Sequence, residues 1–123
     1  MPKKILIADD EQILVEILKA RLERNYHIVT ANDGEEALAK ITSEKPDLLV
    51  LDLLMPKKTG YNVLSEIASD GIYLEKAPKV IILSARGKEL DAGLGQRLGA
   101  DAYFVKPFQL SDLEAKIAEL LKD

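Results

Sequence analysis

Apolar residues fall along this chain in five short runs, residues 5–8, 28–31, 48–51, 80–83 and 102–105, separated by longer stretches of mixed polarity. The first, third and fourth runs are apolar at every position and show no period-two alternation. Strands read this way when helices cover both faces of a parallel sheet. The stretches between them carry helical spacing. Leu14, Ile17, Leu18 and Leu22 form one stripe within residues 11–24, and Ala37, Leu38 and Ile41 a second after the turn and cap signal Asn32-Asp33-Gly34. Tyr61, Leu64 and Ile67 suggest a third after Gly60. A final helix carries Leu110, Leu113, Ile117, Leu120 and Leu121. Ser111 and Glu114 there have the spacing of a capping box, although a start near Gln109 fits equally. The fourth helix, expected within residues 88–98, is the weakest, because Gly93 and Gly95 each cost about 1 kcal/mol relative to alanine in a helix interior. Strand and helix alternating five times predict an α/β open sheet.

Composition narrows the class. The 123 residues suit one domain, taken as 1–123, with a single core. A content of 47% hydrophobic and 31% charged residues argues against disorder. The net charge of −4 and the scattered Lys and Arg residues disfavour nucleic acid as a partner. There is no cysteine, which excludes disulfides and thiolate metal sites. The first apolar run is too short for a signal peptide and no run is long enough to span a membrane, so a cytoplasmic protein is expected. Nothing resembling an output domain follows, and a stand-alone unit is the expectation.

The candidate chemistry lies at the strand ends. The first run leads into Asp9-Asp10, the third into Asp52, the fourth into Ser84 and the fifth into Lys106. Open α/β sheets bind ligands beyond the carboxyl ends of their strands, near a switch point in strand order. The order 2-1-3-4-5 makes the first and third strands neighbours, so the three carboxylates converge. Each residue also has a plainer explanation: Asp10 as a helix N-cap, Asp52 and Ser84 as turn residues, Lys106 as a solvated charge. Their coincidence at one sheet edge has no such explanation. Clustered carboxylates raise one another's pKa unless a cation neutralises them, and magnesium prefers oxygen ligands of this kind. A carboxylate can also act as a nucleophile and form an acyl phosphate, whose oxygens an ammonium and a hydroxyl would receive.

Asp9-Asp10, Asp52 followed by Met55-Pro56 and Gly60, Ser84-Ala85, and Lys106-Pro107-Phe108 together resemble the bacterial response-regulator receiver domains, the CheY-like family, in the right order along the whole chain. The resemblance implies a doubly wound (βα)5 fold with a five-stranded parallel sheet of order 2-1-3-4-5, flavodoxin-like. It implies Asp52 as phosphoacceptor and Mg2+ (or Mn2+) as cofactor. Asp10 and Asp52 would be direct ligands, Asp9 would support the metal mainly through water, and Leu54 would contribute its backbone carbonyl. Ser84 would be the switch hydroxyl and Ala85 the small neighbour leaving room for the phosphoryl group. Lys106 would pair with that group, across a cis Lys106–Pro107 bond. Tyr103 would be the aromatic switch residue, with ordinary packing against the fourth helix as its alternative. The implied partners are a histidine kinase or histidine phosphotransfer protein, docking by the first helix with Glu11, Gln12 and Glu16, and a downstream protein target. That target would read a surface of the fourth helix, fifth strand and fifth helix, which Gly93 and Gly95 would make plastic.

Other classes fit less well. Phosphatases of the haloacid dehalogenase type need a second aspartate two residues after the nucleophile, where this chain has Leu54. Neither glycine-rich phosphate-binding motif is present, and His27 reads as a surface residue. The expectation is therefore a phosphoacceptor switch and not an enzyme acting on other substrates. The alternative is a pseudoreceiver, an interaction module working without phosphorylation, although no expected site residue is missing. Leu54 and Arg86, each two residues after a site residue, lead us to expect slow autodephosphorylation, because leucine cannot orient an attacking water.

Overall fold

The computed structural model describes residues 2–68, 77–85 and 99–122. The elements are β1 (Lys4–Ala8), α1 (Gln12–Leu22), β2 (His27–Ala31), α2 (Gly34–Glu44), β3 (Leu48–Asp52), α3 (Gly60–Ala68), β4 (Lys79–Ser84), β5 (Ala102–Val105) and a C-terminal helix, α4 (Leu110–Leu120). All neighbouring strand pairs are parallel, and the sheet order is β2-β1-β3-β4-β5. This is the expected doubly wound, flavodoxin-like arrangement. The fourth predicted helix, with Gly93 and Gly95, and Arg86 lie outside the described residues.

The unbroken apolar runs are explained by two cores, one on each face of the sheet. Leu6, Ala8, Leu49, Leu51 and Ile82 face a core completed by Ala37, Ile41, Val63 and Leu64 of α2 and α3. Ile5, Ile7, Leu48, Val50, Ile81 and Leu83 face the other, completed by Val15, Leu18 and Leu22 of α1 and by Leu113 and Ile117 of α4. Because successive strand residues point to opposite faces, a central strand must be apolar throughout. β3 is buried at every position.

Two helices differ from their expected patterns. On α1 the buried face is Val15, Leu18 and Leu22, while Ile17 is 43% exposed and Ile13 76% exposed. Leu18 and Leu22 of the expected stripe are buried and Leu14 packs partly against the same core, so only Ile17 departs, because it lies on the side of α1 that turns away from the sheet. The capping box at Ser111 does not form. Helix α4 begins at Leu110 with Gln109 as its N-cap, so Ser111 already lies inside the first turn. The cap before α2 is as expected: Asp33 accepts a hydrogen bond from the Glu36 backbone N–H at 2.8 Å. Among the described residues, no helix is long and apolar enough to cross a membrane.

Candidate functional site

The strand ladders run one residue further than the apolar runs do. Asp52 is still in register with Leu83 on β4, and Ser84 with Val105 on β5. Both polar residues are therefore the last residues of buried strands, not loop residues beyond them. Asp52 is 6% exposed and Ser84 is fully buried. Asp9 follows β1, where its backbone N–H donates to the Ala31 carbonyl at 3.1 Å, and it too is fully buried. Asp10 is exposed. It does not cap α1, whose N-cap is Glu11. With capping excluded, the plainer explanation for Asp10 is gone.

One carboxylate oxygen from each of Asp9, Asp10 and Asp52 can be chosen so that all three lie within 4.8 Å of one another. Facing them is Lys106, the residue after β5, preceding a cis Lys106–Pro107 bond. Its Nζ donates to Asp9 Oδ2 at 2.9 Å and to Glu11 Oε1 at 3.1 Å, and lies 3.7 Å from Asp52 Oδ2. Asp52 Oδ1 accepts the Leu54 backbone N–H at 3.3 Å. Three carboxylates, counting Glu11, thus lie against one ammonium, with Asp10 in the same acidic cluster.

The imbalance shows in the proton affinities. Burial, and after it the charge of Asp9, raises the Asp52 pKa to about 6, although Lys106 and the Leu54 N–H pull it back. Burial by itself would lower Lys106, but Asp9, Asp52 and Glu11 together outweigh it and hold the lysine above its usual value. The set lacks positive charge, its donors are hard oxygens, and they are close enough to share one ion. Those are the requirements of a small divalent cation, and the residues fit magnesium.

Three glycine and loop features shape the floor of the site. A Cβ on Gly60 would lie 2.4 Å from the Asp52 carbonyl oxygen and 2.7 Å from Leu53 Cα, so only glycine lets α3 start this close to the strand end. The Gly60 N–H donates to the Leu53 carbonyl at 2.9 Å. Lys57, in the same loop, is left-handed with φ 68°.

Leu54 presents a side chain that is 43% exposed next to Asp52. Tyr103 on β5 is half-buried and packs against the core on the α2–α3 face. A groove of about 490 Å³ opens beside the acidic cluster, lined by Glu11, Leu14, Ile17, Pro107, Phe108 and Leu110 among others. In the sequence Glu11 belongs to the expected docking side of the first helix, near the pocket, with no partner assigned to its carboxylate. Its contact with Lys106 joins residues 95 positions apart, and the only sequence signal for it was adjacency to Asp9-Asp10.

Comparison with known proteins bears on the family and the fold. A family model described as the response regulator receiver domain matches residues 5–118. The chain is 42% identical over 123 residues to the alkaline phosphatase synthesis transcriptional regulatory protein PhoP of Bacillus subtilis, covering 99% of this chain and 50% of that protein. The chain spans about half the length of the curated relatives it matches. Among solved structures, the response regulator protein TrrA of Thermotoga maritima in complex with Mg2+ and BeF is 39% identical. It has a TM-score of 0.81 and covers 97% of this chain and 99% of that one. A CheY-like receiver domain protein of Methanospirillum hungatei is 30% identical with a TM-score of 0.83, covering 97% of this chain and 93% of that one.

Proposed function

This chain belongs to the family of response regulator receiver domains, and on that premise we propose that it is a phosphorylation switch in which Asp52 accepts a phosphoryl group in a magnesium-dependent reaction. The observation that carries the proposal is the placement of Asp9, Asp10 and Asp52 within one ion's reach, with the Lys106 ammonium opposite.

In this reading an Asp52 oxygen attacks phosphorus as the donor's P–N bond breaks, and the departing imidazole of a phosphohistidine takes up a proton. The product is an acyl phosphate on residue 52. Magnesium would be held by Asp10, Asp52 and the Leu54 carbonyl, with Asp9 acting through water, and would supply neutralising charge between the carboxylates and the phosphoryl oxygens. Lys106 then pairs with a phosphoryl oxygen and Ser84 donates its hydroxyl to another. Phosphorylation adds a charge of about −1.5 to −2 and three acceptor oxygens, enough to shift the ends of β4 and β5 that carry these two residues. Tyr103, on β5, is assigned the coupled aromatic movement.

The donor is assigned as a histidine kinase or phosphotransfer protein, docking over the groove beside α1. With a net charge of −4, the domain is assigned protein contacts and not nucleic-acid contacts. The curated relatives are named as transcriptional regulators and are about twice as long. The receiver role is the same whether the target is a separate protein or a further part of the same chain. Incubation with a small-molecule phosphodonor and magnesium, read by intact mass, tests the reading. One added phosphoryl group, absent with chelator, is expected; no addition to the wild type would favour a module working without phosphorylation.

A further inference from the structure

The Lys106 ammonium has three N–H donors and faces three carboxylates. Two of these accept hydrogen bonds, Asp9 at 2.9 Å and Glu11 at 3.1 Å, and Asp52 stands at 3.7 Å. One N–H is left for a phosphoryl group on Asp52, and a second hydrogen bond from Lys106 to that group requires that Asp9 or Glu11 be given up. The two are unequal. Asp9 is fully buried, so water does not readily take the place of the lysine there. The Glu11 side chain is 58% exposed, so water replaces the lysine there at little cost. The contact given up is therefore Glu11–Lys106.

The backbone of Glu11 is fixed independently of its side chain. Its N–H donates to Asp9 Oδ1 at 2.8 Å, and its carbonyl accepts from the Val15 N–H at 3.1 Å. The carboxylate is thus held next to Lys106 by the N-terminus of α1.

We propose that Glu11 is a positioning residue that holds Lys106 in the resting domain and competes with the phosphoryl oxygens for it. Resting on the phosphoacceptor reading above, this makes Glu11 a built-in brake on occupancy of the site. It sits at the lip of the groove beside α1, and its carboxylate is freed to that groove when the phosphoryl group captures Lys106.

The test measures affinity for beryllofluoride, a phosphoryl mimic, at saturating magnesium. Glu11→Gln keeps the shape and backbone contacts and removes the charge; it is expected to tighten binding about two- to fivefold, the range of an exposed ion pair. Glu16→Gln removes a charge from the same helix without a contact to Lys106, and is expected to change nothing. In a Lys106→Ala background the Glu11→Gln gain is expected to vanish. If that background folds poorly, ionic strength serves instead: the wild-type disadvantage should shrink as salt screens the exposed pair. Equal affinities of wild type and Glu11→Gln would overturn the proposal. So would a gain matched by Glu16→Gln, or one that persists without Lys106. Failure of the wild type to bind the mimic at all would instead sink the phosphoacceptor reading, and this proposal with it.

Discussion

At the residue scale the account rests on Asp52, a carboxylate at the end of a buried strand that is ionised at neutral pH against its surroundings. Its pKa is raised from 3.8 to about 6, mainly by burial and then by Asp9. A raised carboxylate pKa means that the folded protein holds the proton more tightly than the unfolded chain does. Without metal, Asp52 therefore favours the unfolded state increasingly as pH rises from about 4 through about 6, and its penalty is complete above that. Asp52→Asn is expected to stabilise the metal-free domain at pH 7.5 by about 1–2 kcal/mol; the full shift would give more, but solvent at the mouth of the site screens it. Denaturant melts in chelator across pH 4–8 check this, and a gap that fails to grow with pH would contradict it. The Asp9-Asp10 pair, Asp52, Ser84 and Lys106 were legible in the sequence because each directly follows or ends an apolar run. Glu11 was not, since its reach to Lys106 depends on how α1 and the loop after β5 are set against each other.

At the scale of elements, β1, β3 and β4 read clearly because burial on both faces leaves no polar position in their interiors. Their ends read less well: Asp52 and Ser84 remain in the ladder, which apolarity alone does not report. Helix faces were harder. Val15 is buried where the stripe favoured Ile17, because both are β-branched apolar residues and only the angle at which α1 meets the sheet separates them. The turn from β3 into α3 carries the strongest element-level prediction. Gly60→Ala places a methyl group against the Asp52 carbonyl and must push α3 away from the strand end. A loss of about 1–3 kcal/mol is expected, as for other overpacked sites, together with reduced phosphorylation of the folded fraction. Thermal melts and single-turnover phosphorylation of the variant measure both. Unchanged stability would mean that the loop yields without strain.

At the scale of the whole molecule, strand order does the assembling. Placing β1 beside β3, and β4 beside β5, brings side chains from positions 9, 10, 52, 84 and 106 to one edge of the sheet, although no local segment contains more than two of them. The resulting excess of negative charge predicts that magnesium stabilises the fold, because it binds the assembled cluster and not the unfolded chain. Adding magnesium should raise the melting temperature and flatten the pH dependence assigned to Asp52, and chelator should reverse both. An Asp10→Asn variant should respond much less. The measurement that tests the central claim most directly is localisation of the phosphoryl group. Borohydride reduces an acyl phosphate to the alcohol, so trapping the phosphorylated domain with labelled borohydride and mapping its peptides identifies the acceptor. Label confined to residue 52, and dependent on magnesium, is the predicted result. Label on another carboxylate, or none from a domain whose intact mass shows phosphorylation, would contradict it.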